Sequence, residues 1–158
     1  KSLMEKYVRV SKSEDAHELA PKIRQEDLDE IKASDNALPL QALTYPFQQL
    51  NHKTYSIIGT EQEGVIGMFG VVPSERDDYG VAWLLSSPEL LNHTIQFLRE
   101  CPKWVKEMGQ DYKYLYNYVD VRNNVGNKWL KFLGFNLIET VNYGYEKKPF
   151  NLMIKEIK

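Results

Sequence analysis

The stretch LYNYVDVRNNVGNKWLKFLGF, residues 115–135, decides how this sequence folds. Its first seven residues are mostly aromatic or β-branched, which predicts a strand. Asn123 or Asn124 is placed to cap a helix, because a short amide side chain accepts a hydrogen bond from an N–H group in the first turn. Apolar residues then recur at helical spacing, and Gly134 ends the helix because glycine tolerates the left-handed conformation. The stretch therefore predicts a strand, a capped helix and the start of another strand at Phe135.

The rest of the chain alternates between predicted strands and helices. A strand at Tyr7–Val10 precedes two helices, the second running from Arg24 or Gln25 to about Ala33, and we expect Lys1–Glu5 to be a frayed terminus. A hairpin follows, with strands at Tyr55–Gly59 and Val65–Val72.

The apolar run Val81–Leu85 predicts a central strand covered on both faces. A long helix should begin at Pro88 and be kinked or split at Pro102, because proline lacks an N–H group. Two strands end the chain, at Asn136–Val141 and from Phe150 to Ile154 or a little beyond. The alternation alone predicts an α/β protein with a mixed sheet.

Length and composition suit one soluble domain. The chain has 158 residues, 42% hydrophobic and 27% charged, so we expect residues 1–158 to form a single domain with a sizeable core. Its 20 basic and 22 acidic side chains leave a formal charge of -2, which gives no electrostatic footprint for nucleic acid.

Metal, membrane and secretory signals are missing from the sequence. Cys101 is the single cysteine, which excludes an intramolecular disulfide and a cysteine-based zinc site, and three scattered histidines give no metal-binding spacing. No apolar run approaches the roughly 20 residues of a membrane span, and no signal peptide opens the sequence. We therefore expect no metal, no membrane contact and a cytoplasmic location.

The spacing of Asn123, Gly126, Trp129, Gly134 and Phe135 resembles the last motif of the GNAT superfamily of N-acetyltransferases. The predicted element order also resembles that family over essentially the whole chain. The resemblance implies the GNAT fold, a mixed sheet of about six or seven strands with helices on both faces. It further implies transfer of an acetyl group from acetyl-coenzyme A (acetyl-CoA) to an amine.

This resemblance implies cofactor-binding residues at the end of the central strand, just after it, and at Asn123. The family contacts the thioester carbonyl through a main-chain N–H of that strand, here near Leu84 or Leu85. Its glycine-rich pyrophosphate loop is replaced by SSPELL, residues 86–91, where the hydroxyls of Ser86 and Ser87 could donate to phosphate or cap the helix. Asn123 matches a position that often touches coenzyme A (CoA), with a plain helix cap as the alternative.

The remaining implied residues concern proton transfer and packing. The family's usual tyrosine acid is replaced by Leu130, so Tyr118, Tyr116 or Tyr145 would have to supply the acid. Asp120, at the end of its strand, is the candidate base. Trp129 is assigned to the cofactor site, with packing in the core as the alternative.

Other segments resemble small acetyltransferase-like proteins of short-tailed phages, including internal virion (core) proteins. These phage proteins share the leucine at the acid position and lack a clear glycine-rich loop. The resemblance is carried by 83–85, 97–99, 117–120, 129–135, 143–144 and 149–150.

Two hypotheses follow from these resemblances. One is an enzyme acting on a CoA thioester and an amine. The other is a non-catalytic phage protein, bound to other virion proteins and located in the host cytoplasm or the virion. The enzyme requires the strands Val81–Leu85 and Leu115–Asp120 to part, so that a pantetheine arm can lie between them.

Overall fold

Seven strands form one mixed sheet in the computed structural model, which describes residues 7–158. The predicted frayed terminus, Lys1–Glu5, lies outside the described residues. The strands are β1 (Val8–Val10), β2 (Lys53–Ile58), β3 (Val65–Pro73), β4 (Tyr79–Ser86), β5 (Tyr114–Asp120), β6 (Asn136–Tyr143) and β7 (Lys148–Glu156). The helices are α1 (Ser13–Leu19), α2 (Gln25–Asp35), α3 (Pro39–Thr44), α4 (Thr94–Met108) and α5 (Asn124–Phe132).

The strand order across the sheet is β1-β2-β3-β4-β5-β7-β6. Neighbouring strands are antiparallel except β4 and β5, which run parallel. A parallel pair needs a crossover connection, and α4 supplies it. The predicted α/β class and the mixed sheet of six or seven strands are confirmed.

Each face of the sheet carries its own hydrophobic core. The core on one face holds Phe97, Cys101 and Val105 from α4 and Trp129 from α5. The core on the other face holds side chains from α1, α2 and α3, among them Leu19, Ile31 and Leu43. The two faces of β4 are therefore both covered, as its apolar run predicts. Within residues 7–158, no helix has the length and hydropathy that crossing a membrane requires.

The stretch 115–135 folds as its sequence predicts. Asn123 is the N-cap of α5, and its Oδ1 accepts a hydrogen bond from the Gly126 N–H at 3.0 Å. Gly134 has φ +92°, the left-handed conformation that lets the chain leave the helix. Local chemistry was sufficient here because each signal acts within a few residues.

The region between β4 and α4 differs from the prediction. A 3-10 turn spans Pro88–His93, and the α-helix begins at Thr94 rather than at Pro88. The Ser87 hydroxyl donates to the Ile66 carbonyl at 3.3 Å and does not cap the turn. Of the two outcomes predicted for Pro102, a split is wrong, because α4 continues through it as one helix, and a kink stays a prediction.

Candidate active site between strands β4 and β5

Strands β4 and β5 part after a short paired segment. Beyond Val81 and Tyr116, β4 continues to Ser86 and β5 to Asp120, and within residues 7–158 no further pairs join them. The paired positions are Tyr79 with Tyr114, Gly80 with Leu115, and Val81 with Tyr116. The parting that the enzyme hypothesis requires is therefore present.

The main-chain N–H of Leu84 points into this gap. The Ser86 N–H donates to Asp27 Oδ2 at 3.0 Å, whereas the Ser87 N–H donates back to Ile66 on β3. Because N–H groups alternate between the two edges of a strand, Leu84 shares the gap-facing edge with Ser86, and Leu85 faces β3. Of the two leucines considered, Leu84 has the geometry of a free main-chain donor.

Two cavities meet at the gap from opposite faces of the sheet. The cavity on the α4–α5 face has a volume of about 70 Å³ and includes Trp129 and Leu130 in its lining. The cavity on the α2–α3 face has a volume of about 680 Å³. Residues that line both cavities are Glu30, Trp83, Leu84 and Asn117. The two cavities therefore adjoin at the parted strands.

A polar cluster fills the wide end of the gap. The Arg24 guanidinium donates to Asp27 Oδ1 at 3.0 Å and to Asn123 Oδ1. The Asn123 amide donates to Glu30 Oε1 at 2.9 Å and to Asp27 Oδ1 at 3.3 Å. Arg24, Asp27 and Asn123 are all buried, so these contacts tie α2 to the start of α5.

The same carboxylates take main-chain donors from both parted strands. Asp27 accepts the Ser86 N–H at the end of β4, and Glu30 Oε1 accepts the Asp120 N–H at the end of β5, at 3.3 Å. These N–H groups would otherwise lie unpaired at a buried position, which costs free energy. The carboxylates of α2 thus substitute for the missing strand pairing.

Glu30 has the most unusual proton affinity near the gap. Burial raises its pKa to about 8, the hydrogen bond from Asn123 opposes this rise, and the charges of Asp27 and Asp120 increase it. The hydrogen bonds from the Asp120 N–H and the Asn123 amide both go to Oε1. A carboxyl that titrates near neutral pH and lines both cavities is suited to proton transfer.

Sequence reasoning did not identify Glu30. Its contacts with Asp120 and Asn123 join positions 90 and 93 residues apart. One local signal was available, since Arg24, Asp27 and Glu30 recur at a spacing of three along one helix face. A charged stripe of that kind usually faces solvent, so the signal is weak without the fold.

Asp120, the predicted base, is held in an ion pair. Its side chain is buried, and Arg122 Nη2 lies 2.6 Å from Oδ2. Burial raises the pKa of Asp120, but the hydrogen bonds and charge of Arg122 outweigh it and keep the pKa below its usual range. Asp120 does not line either cavity. This geometry suits an anchor for Arg122 better than a base.

Tyr118, the predicted acid, and Leu130, at the family's acid position, line different cavities. Tyr118 lines the larger cavity and stacks on Tyr143 with ring centroids 4.0 Å apart. Leu130 lines the smaller cavity, so the family's tyrosine position carries no hydroxyl there. A role for Tyr118 as an acid remains a prediction.

The two serines predicted to bind the cofactor are buried and form hydrogen bonds within the protein. The Ser86 main chain bonds Asp27 and Arg24, and Ser87 bonds Ile66 and Leu90. Trp129 is buried, packs on Phe97 with ring centroids 4.9 Å apart and also lines the smaller cavity. Asn123 caps α5 and belongs to the polar cluster. Among the described residues, no group of three or more His, Cys, Asp and Glu side chains could hold a metal ion.

Comparison with known proteins identifies the fold. The sequence matches no family model and no curated protein. The ribosomal-protein-S5-alanine acetyltransferase from Vibrio fischeri superposes with a TM-score of 0.70 and 17% identity, over 96% of this chain and 92% of that chain. An acetyltransferase of the GNAT family from Streptococcus pneumoniae gives a TM-score of 0.64 and 18% identity, over 96% and 98% of the two chains.

The chain has the GNAT fold. A further solved structure, spermidine N-acetyltransferase from Vibrio cholerae in complex with CoA and spermine, gives a TM-score of 0.67 and 12% identity, over 94% of each chain. None of these three solved structures is described as a phage protein, so the resemblance to phage proteins stays a prediction. At such identities the likeness establishes the arrangement of elements, and activity has to be argued from the site.

Proposed function

We propose that residues 1–158 act as one domain, an N-acetyltransferase that uses an acetyl-CoA thioester to acetylate an amine. The observation that carries the proposal is the gap between β4 and β5. The gap presents the Leu84 N–H, and it opens to a cavity on each face of the sheet. A donor can therefore approach from one face and an acceptor from the other.

The centre of the gap suits an acyl thioester carried on a pantetheine arm. The wide end is occupied by the polar cluster. The Leu84 N–H and the apolar lining from Ala82 and Val119 suit a narrow chain bearing a carbonyl group. At the wide end, Asp27 and Glu30 would have to release the N–H groups of Ser86 and Asp120. Bound acetyl-CoA would supply the activated acetyl group.

The chain's own residues then have separate tasks. The Leu84 N–H donates to the carbonyl oxygen on which negative charge develops. Glu30 accepts a proton from the amine at Oε2, the carboxylate oxygen that does not accept from Asp120 or Asn123. Tyr118, on the acceptor side, is the candidate for returning a proton to the departing group.

Calorimetry and a pH–rate profile test this proposal together. We expect CoA to bind, and the rate of amine acetylation to rise with pH through about 8, where Glu30 ionises. Glu30→Gln should remove most of the activity and leave the CoA affinity within about threefold. Asp29→Asn, on the same helix at a carboxylate that accepts from Gln25 at the surface, is the control and should change neither. The proposal would be abandoned if neither CoA nor acetyl-CoA bound at millimolar concentrations.

A second candidate is a non-catalytic binding protein that retains the fold, with other virion proteins as partners if it is phage-encoded. Three observations favour it: Leu130 replaces the usual acid, the cavity on the α4–α5 face is small, and α2 engages the donors at the wide end. A complex with the acetyl-CoA thioester at Leu84 would count heavily against this candidate.

A further inference from the structure

The larger cavity combines aromatic faces with carboxylates. Its volume of about 680 Å³ is within the range of small-molecule sites. Glu30 and Asp35 contribute carboxyl groups, and none of the described residues that line it is Lys or Arg. Five aromatic side chains line it: Tyr45, Trp83, Tyr116, Tyr118 and Tyr143.

Three of the tyrosines form a continuous wall. Tyr116 and Tyr118 are two positions apart on β5 and therefore share one face of the sheet. Their rings meet edge to face at 6.1 Å, and Tyr143 stacks on Tyr118 at 4.0 Å. Aromatic rings carry negative charge on their faces, which attracts organic cations.

The β6–β7 hairpin holds this wall in place. The main-chain N–H groups of Tyr145 and Glu146 donate to the carbonyls of Ser34 and Ala33 at the end of α2, both at 2.9 Å. Tyr143 is therefore fixed over the cavity by hydrogen bonds to the helix that also carries Glu30. A preorganised wall loses little entropy when a ligand binds.

The inner end of the cavity has a carboxyl group available to a ligand, that of Glu30. Glu30 lies where the cavity joins the gap, and burial together with neighbouring carboxylates raises its pKa to about 8. A cation placed there would relieve the repulsion from Asp27 and Asp120. Trp83 also lines the cavity, but its Nε1 atom is buried away from it, without a hydrogen-bond partner among the described residues.

We propose that this cavity binds an organic cation with a flat apolar body. Its ammonium group lies towards Glu30, and its body rests on the wall formed by Tyr116, Tyr118 and Tyr143. If the proposed transferase function holds, the acceptor is an arylalkylamine or a similar amine rather than an acidic or neutral compound. The binding itself does not depend on catalysis.

Binding of non-acetylatable probes tests the cavity separately from the reaction. Phenethyltrimethylammonium should bind by titration calorimetry at least about fivefold more tightly than neutral 2-phenylethanol, because cation–π contacts favour the charged probe. It should also bind more tightly than choline, which has the charge without the ring. Equal affinity for the charged and neutral probes, or tighter binding of 3-phenylpropanoate, would overturn the proposal.

Matched variants locate the site. Tyr118→Leu should weaken binding of phenethyltrimethylammonium about fivefold, and Tyr118→Phe should stay within twofold, because the ring face and not the hydroxyl makes the contact. Equal losses of affinity in both variants would contradict a binding contact with the ring faces of the tyrosine wall. If the charged probe binds but 2-phenylethylamine is never acetylated, the transferase function fails and the binding site stands. If amines are acetylated but the cationic probe binds no more tightly than the neutral one, the transferase function stands and the proposed binding site fails.

Discussion

Asn123 shows how one residue can serve helix, cluster and gap at once. Its side chain accepts from the Gly126 N–H and from Arg24, and it donates to Asp27 and Glu30. The sequence predicts the cap because the bond spans three residues. It does not predict the contacts to α2, because those residues lie more than 90 positions earlier in the chain.

Replacing Asn123 should destabilise the fold by more than a cap alone. Asn123→Ala should lower the free energy of unfolding by about 3 kcal/mol, since a lost cap costs about 1 kcal/mol and unpaired buried partners add the rest. Asn123→Asp keeps the cap acceptor but sets a third carboxylate beside Asp27 and Glu30. Urea denaturation should therefore show that Asn123→Asp is no more stable than Asn123→Ala at pH 8. If the free energy of unfolding fell by only about 1 kcal/mol in both variants, Asn123 would stabilise the protein only as a helix cap.

Glu30 should make the protein less stable at alkaline pH. Its pKa is about 8 in the folded chain and has an ordinary value of 4.5, so the folded state binds a proton that the unfolded state has released. Stability from this group is therefore complete below about pH 4.5 and falls as pH rises towards 8. Asp27, Asp120 and the Asn123 amide face the same carboxyl group and set the size of the effect.

Thermal unfolding from pH 5 to pH 9 measures this effect. Relative to wild type, Glu30→Gln should gain about 5 °C or more in Tm between these limits, because the neutral amide avoids the ionisation cost. Asp29→Asn controls for loss of one acidic residue from α2, and its difference in Tm from wild type should stay constant across this pH range. A constant difference for Glu30→Gln across the range would mean that Glu30 is ionised in the folded chain.

Among the larger elements, the β6–β7 hairpin is placed by contacts that its own sequence does not reveal. The strands are predictable from their composition, and Gly134 is predictable as a helix end. The docking of the turn onto α2 depends on Gly144, which has φ +81°, and on carbonyls from Ala33 and Ser34. These groups meet because the sheet brings distant segments together.

Gly144→Ala should disturb this docking. A Cβ at this position would lie 2.6 Å from the Ser34 Cα, and the left-handed φ adds strain, so we expect a loss of about 3 kcal/mol in stability. Gly134→Ala is the matched control. It also has a positive φ, but the nearest atom to its Cβ is the flexible end of Lys155, so it should cost only about 1 kcal/mol.

Amide hydrogen exchange reports where the damage falls. In Gly144→Ala, the N–H groups of Tyr145 and Glu146 should lose protection, while those of β2 and β3 keep it. Binding of phenethyltrimethylammonium should weaken in parallel, because Tyr143 loses its support. Equal stability of the two alanine variants would show that the hairpin adapts without leaving α2.

At the scale of the whole molecule, the polar cluster and a bound thioester would compete for the same gap under the proposed function. Strands β4 and β5 are parted, and two carboxylates of α2 accept the N–H groups at their ends. Asp27 accepts from Ser86, and Glu30 accepts from Asp120. A ligand arm entering between the strands gains those N–H groups when the carboxylates release them. Measured affinity is then the intrinsic affinity reduced by the fraction of molecules in the open state.

Asp27→Ala should therefore move stability and CoA affinity in opposite directions. Losing this buried partner of Arg24 should destabilise the fold by about 3 kcal/mol, and freeing the Ser86 N–H should tighten CoA binding by about three- to tenfold. Calorimetry on the folded variant measures the affinity, and urea denaturation measures the stability. Asp27→Asn, which keeps the shape of the side chain, should lie between wild type and Asp27→Ala in both measurements.

Asp29→Ala is the control for this competition. Asp29 belongs to the same helix and accepts a hydrogen bond from Gln25 at the surface, so its loss removes one negative charge without opening the gap. Stability and CoA affinity should both stay near wild type in this variant. If Asp27→Ala instead weakens CoA binding as it destabilises the fold, the cluster supports the donor site and does not compete with it. The opposite signs expected here follow from one geometric fact, that the carboxylates of α2 bond the strand edges that the donor would use.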